Sequence, residues 1–183
     1  MYVVVLPVFN LSPAGGSLVI QVRIASLAVD PRSNQPVIVL RPLDEEPGAG
    51  RVLPIWIGQP EATAILLAVE DVELPRPLTH DLMKNVIETL GACLERVEIT
   101  RVEEGTFFAA LIVHAEERTL TIDARPSDSI ALAVRTGAPI FVAENVLDAA
   151  AIADEETERV DEEAELEAFR EFLDQVDPED FQG

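Results

Sequence analysis

From Leu18 the chain alternates, with Val19, Gln21, Arg23 and Ala25 on one side and Ile20, Val22 and Ile24 on the other. A period of two predicts a strand, ended by the turn-forming run Asp30-Pro-Arg-Ser-Asn-Gln-Pro36. Val37 to Leu40 and Val52 to Ile57 read as two further strands, separated by a loop from Asp44 to Gly50, and the three together predict a meander. Gly58-Gln-Pro-Glu-Ala62 then opens a helix with Ala64, Ile65, Ala68 and Val69 on one face. After a proline-containing connector, a second helix starts at Thr79, read as its cap, and runs to about Leu90, where Gly91 stops it. Leu94 to Val102, Thr106 to His114 and Arg118 to Ile122 alternate again, with turns at Glu103-Glu-Gly105 and Ala115-Glu-Glu117.

The next stretch, Asp123-Ala-Arg-Pro-Ser-Asp-Ser-Ile-Ala-Leu-Ala-Val-Arg135, passes from the strand period into a helical one. Pro126 fits the first turn, so Asp123, Arg125, Ser127 and Asp128 are expected to crowd one strand-to-helix corner. Ile57 to Val69 follows the same plan of strand, proline, acid and apolar helix. Two such corners could face each other across a cleft, although a shared rule for starting helices explains the likeness equally well. A short strand from Pro139 to Val142 and a short helix from Glu144 to Ala151 follow.

Composition narrows the picture. A chain of 183 residues, 48% hydrophobic, can bury one core. It has no run of the roughly 18 apolar residues that a membrane span needs, and its first residues make a poor export signal, so a soluble cytoplasmic protein without membrane contact is expected. The single cysteine, Cys93, read here as a buried apolar residue on a helix, excludes an internal disulfide and a zinc knuckle. Trp56 is expected in the core, although at a cleft rim it could stack a base, and His114 is expected on a strand, at the surface or in the core.

The net charge of −21 is unevenly spread, with 14 acids against 2 bases from Asp154 onward. Three divisions follow: an extension over 1–17, a domain over 18–152 and an acidic amphipathic helical tail over 153–183. In the tail, Val160, Ala164, Phe169, Phe172, Leu173 and Val176 form a rough stripe that could dock a protein partner. Nucleic acid would have to be held through local arginines or a bound cation, because the long-range field repels phosphate.

The residues at the corners suit such local work. Glu61, Asp81, Asp123 and Asp128 could help build an oxygen cage for Mg²⁺ or Mn²⁺. His80 could act as a ligand or as a general acid or base, and Arg76 and Arg125 could clamp phosphate oxygens in a fork. Ser127 could join them or only satisfy backbone N–H groups. The acids could equally serve as helix-dipole partners, and Arg125 could simply pair with Asp123 or Asp128. Nothing calls for an organic cofactor.

Several motifs in order carry a family resemblance: Leu53-Pro-Ile-Trp-Ile-Gly58 with Glu61-Ala62, Pro75-Arg-Pro-Leu-Thr-His-Asp-Leu82, Gly105-Thr-Phe-Phe-Ala109, Ile122-Asp-Ala-Arg-Pro-Ser-Asp128 with Ile130-Ala-Leu-Ala-Val-Arg135, and Ala138-Pro-Ile-Phe-Val142. Over about residues 18 to 152 the chain resembles the bifunctional nuclease family, once catalogued as a domain of unknown function. The resemblance implies an α+β domain, with a mixed, mostly antiparallel sheet and helices packed on it. It also implies hydrolysis of RNA and DNA with low sequence preference, assisted by a divalent metal. Under that reading His80, Asp81, Asp123 and Asp128 are catalytic, Arg76, Arg125 and Ser127 bind a single-stranded substrate, and Glu61, Asp123 and Asp128 hold the metal. Two other readings stand beside it: a non-catalytic module taking an anion or nucleotide at a helix start, and a protein-interaction scaffold. A homodimer is expected, because meander edges need covering.

Overall fold

A computed structural model describes residues 18–154 apart from 47, 49 and 73. The 1–17 extension and the acidic tail beyond Asp154 lie outside the described residues. The alternating segments become β1 (Val19–Asp30), β2 (Gln35–Pro42) and β3 (Arg51–Trp56), followed by α1 (Gln59–Val69) and α2 (Thr79–Thr89). Then come β4 (Ala92–Glu103), β5 (Thr106–Ala115), β6 (Arg118–Ala124), α3 (Pro126–Thr136), β7 (Ile140–Ala143), α4 (Glu144–Ala150) and β8 (Ile152–Ala153).

All eight strands join one sheet in the order β6-β5-β4-β7-β1-β2-β3-β8. β7 runs parallel to β4 and every other pairing is antiparallel, so the protein is α+β. Two antiparallel ladders, β1-β2-β3 and β4-β5-β6, are thus joined through β7, which returns from α3 to lie between them. The hairpin at Glu104 and Gly105 closes with both residues at positive φ, the backbone twist that suits a tight two-residue turn.

The core forms where the period-two faces meet the helices. Ile38 and Leu40 of β2, Val97 and Ile99 of β4 and Val142 of β7 pack with Ile65 of α1 and Ile130 of α3, all with no exposed surface. Each such side chain contributes roughly 1.5–3 kcal/mol by leaving water. α3 is the central helix, touching α1, α2, β4 and β5. Gly137 ends it in the left-handed region at φ 71°, where a side chain would be strained.

Some expectations are corrected. Thr79 is the first helical residue of α2 rather than its cap; Leu78 holds the cap position, and its N–H donates to Asp81 Oδ2 at 2.8 Å. Cys93 is exposed on β4, because the chain reverses at Gly91 and enters the strand one residue later, opposite the exposed His114. Trp56 is 51% exposed: alternation along β3 sends Leu53 and Ile55 into the core and the indole outward, where its N–H donates to Asp30 Oδ2. β8 had no counterpart in the sequence reading.

Candidate active site

The N-terminal ends of α1, α2 and α3 meet, and each brings one polar side chain from its first turn: Glu61, His80 and Asp128. The local sequence dictates where these ends form. Pro60 and Pro126 start α1 and α3, with Gly58 and Arg125 as N-caps in extended conformation and no side-chain cap bond on either helix. A Cβ on Gly58 would run into the Glu61 carboxylate, so the absent side chain lets Glu61 fold back over its own helix start.

Arg125 bridges two of these helices. Its Nε lies 2.7 Å from Asp128 Oδ2 and its Nη2 lies 3.1 Å from Asp128 Oδ1 and 2.9 Å from Glu61 Oε1. Those contacts use the Nε–H and the Nη2 group, and the Nη1 donors have no partner among the described residues, on a side chain 65% exposed. Behind Asp128, His80 Nε2 lies 3.1 Å from Oδ1, on an imidazole that is almost wholly buried. Burial works to raise the Asp128 carboxyl, but bonds from Arg125 and His80 together with their charge outweigh it and hold its pKa below the ordinary aspartate value. The guanidinium of Arg125 is in turn pushed up, chiefly by its bond to Asp128.

The remaining candidates divide. Asp81, next to His80 on α2, accepts from Arg135 Nε at 2.5 Å and so faces α3 rather than the Arg125 bridge. Ser127 is buried in the first turn of α3 and makes no side-chain bond to the group. Asp123 is exposed on β6 opposite Ala110; its neighbour Ala124 packs on the core, so alternation places Asp123 on the other face of the sheet. Arg76 is exposed in the α1–α2 connector and lines a different cavity. Arg135 was not singled out from the sequence. It reads as a polar position that closes the stretch Ile130-Ala-Leu-Ala-Val-Arg135 near the end of α3, where a cation suits the helix dipole, and nothing in the sequence points to Asp81 as its partner.

As arranged, these residues do not make a protein-built cage for Mg²⁺ or Mn²⁺. The described residues contain no group of three or more His, Cys, Asp or Glu placed to hold a metal ion, and Glu61 and Asp128 already share the Arg125 guanidinium.

Asp81 carries a pH consequence. Burial works to raise its carboxyl, but the bonds from Arg135 and the Leu78 amide together with nearby charge outweigh it and hold it below the ordinary aspartate value. A depressed carboxyl stabilises the fold fully above the unfolded value and loses that contribution as pH falls through the folded one. The gap in melting temperature between wild type and Asp81→Asn is therefore expected to be widest near neutrality and to shrink below pH 3.8. Thermal melts across that range test it, and a gap that stays constant into acid would show that the ion pair is not its source.

The fold and the corner define an α+β domain that presents a histidine, a carboxylate pair and a bridging arginine where three helices begin. Comparison places it: the family model described as the bifunctional nuclease domain matches residues 39–155, and the chain belongs to that family. An uncharacterized protein of Mycobacterium tuberculosis strain H37Rv is 47% identical over 168 residues, covering 89% of this chain and 98% of its own length. Bifunctional nuclease 1 of Arabidopsis thaliana is 31% identical over 110 residues, covering 58% of this chain and 33% of the plant protein. For bifunctional nuclease 2 of Oryza sativa subsp. japonica the identity is 33% over 113 residues, 59% of this chain and 33% of the rice protein. The domain thus spans about a third of the plant proteins it resembles. Among the described residues no helix is long and apolar enough to cross a membrane.

Proposed function

We propose that this protein hydrolyses phosphodiester bonds of single-stranded RNA and DNA with low sequence preference, at the corner where α1, α2 and α3 begin. The observation that carries the proposal is the linked contact of His80 with Asp128 and of Asp128 with Arg125, inside a domain of the bifunctional nuclease family.

Each group has a task that its surroundings suit. Arg125 offers its Nη1 donors to a phosphate oxygen and stays charged at any working pH. The uncapped N–H groups at the starts of α1 and α3 add positive potential for the same anion. Asp128 fixes the imidazole by its hydrogen bond and offsets the charge it gains, and His80 exchanges the proton that attack by water requires. Glu61 holds the second side of the guanidinium and keeps the fork in place.

The short-range character of this grip answers the problem of overall charge. A chain at −21 gains nothing from long-range attraction to phosphate, so recognition has to come from donors in contact. Low sequence preference follows, because a guanidinium and helix ends read phosphates rather than bases.

Divalent-ion assistance enters the proposal as a test. Mg²⁺ is commonly bound through one or two carboxylates with substrate phosphates and water completing its shell, so a protein-only cage is not required. Purified protein is expected to degrade single-stranded RNA and DNA, to stop when a chelator is added and to resume with Mg²⁺ or Mn²⁺. Cleavage that ignores the chelator would remove the ion from the proposal and leave the histidine dyad; no cleavage of either polymer would sink the proposal itself.

A further inference from the structure

Away from the corner, α1, the α1–α2 connector, α2 and α3 line a half-open cavity of about 470 Å³. It lies toward the far end of α3, where Arg135 follows Asp128 by about two helical turns. We propose that this cavity binds a nucleotide unit, with its phosphate on Arg76 and Lys84 and its ring against the apolar wall.

The charges come first. Arg76, Lys84 and Arg135 all line the cavity, a concentration of cations in a chain whose net charge is −21. Arg135 is committed to Asp81 Oδ1 and to the Ala131 carbonyl. Arg76 has no partner among the described residues, and the one ion pair of Lys84 is with Glu88 at 4.0 Å. Two cations are thus open to an anion, one of them on a connector that Pro75 and Pro77 stiffen.

The rest of the lining restricts which anion fits. Val72 and Leu74 are 43% and 39% exposed, and with Leu67 they form an apolar surface that a planar ring would cover. Asp71 and Asp81 also line the cavity; Asp81 already accepts from Arg135 and the Leu78 amide, and the Asp71 carboxylate makes no side-chain hydrogen bond among the described residues. Any anion meets their repulsion, so one that also brings donors, such as ribose hydroxyls or exocyclic amines, is favoured over one that brings none. The volume is within the range of small-ligand sites. Preferring a nucleotide to another organic phosphate rests on the nuclease reading, while the cavity and its charges do not. Two sources share this chemistry, a free mononucleotide and a nucleotide that flanks the cut within a bound strand.

Calorimetry on the full chain separates them, with adenosine 5′-monophosphate and a short single-stranded oligonucleotide as probes. Arg76→Ala/Lys84→Ala is expected to weaken binding by about tenfold or more for each charge-assisted hydrogen bond it removes, without changing the melting temperature of the free protein. Arg32→Ala, at an exposed arginine outside the cavity lining, should leave binding unchanged. Adenosine 5′-monophosphate holds no internucleotide phosphodiester bond, so its binding is read without turnover and this readout stands whether or not the protein cleaves. Loss seen with both probes assigns the cavity to any nucleotide; loss confined to the oligonucleotide assigns it to the strand. The proposal is overturned if neither probe binds wild type, if the double variant binds as tightly, or if inorganic phosphate competes as well as the mononucleotide.

Discussion

Replacing His80 with alanine is expected to lower phosphodiester cleavage by about 10²–10⁴-fold, the usual worth of a positioned acid or base. Burial alone could produce a loss of activity here, because His80 is 7% exposed and its removal leaves a hole beside Asp128. His80→Gln separates the two causes. A glutamine amide can still donate to Asp128 Oδ1 and fill much of the space, yet it exchanges no proton near neutrality. Wild-type stability with cleavage reduced as far as in the alanine variant would assign His80 to proton transfer. Recovery of activity in the glutamine variant would reduce it to a packing residue. Arg125→Lys adds an independent arm. It keeps the charge and loses the fork that spans Asp128 and Glu61, so its deficit measures how much of the phosphate grip depends on geometry.

The sequence made this corner partly legible. Pro60 and Pro126 announced two similar helix starts, and the structure joins them through Arg125 and Glu61. The hairpins of β4, β5 and β6 were readable because alternation persists almost to each turn. Pairings between distant residues were not readable. His80 meets Asp128 across 48 positions and Arg135 meets Asp81 across 54, distances over which no periodicity carries information. Asp123 shows the other limit. Adjacency placed it with Arg125, but one step along a strand reverses the face a side chain takes, and that step separates it from the corner. Trp56 and Cys93 went astray through composition, since hydrophobic residue types at strand ends are often exposed.

Asp154→Ala is expected to destabilise the fold by about 3–5 kcal/mol, although it changes only the last described residue, just after the edge strand β8. The carboxylate is 1% exposed and receives Arg41 Nη2 at 2.9 Å and the Gly48 amide at 2.6 Å, while its own amide donates to the Gly50 carbonyl at 2.9 Å. It closes the β2–β3 loop and holds the end of β8 against the sheet. Removing it strands the Arg41 guanidinium, 10% exposed, whose Nε already has no hydrogen-bond partner among the described residues. The cost comes mainly from that uncompensated charge and not from the missing attraction. The double variant Arg41→Met/Asp154→Leu, which removes both charges, should therefore recover most of the stability and could exceed wild type. Urea denaturation decides it. If the double variant is as unstable as Asp154→Ala, the loop hydrogen bonds rather than the ion pair hold this edge, and the buried charge is not what its removal exposes.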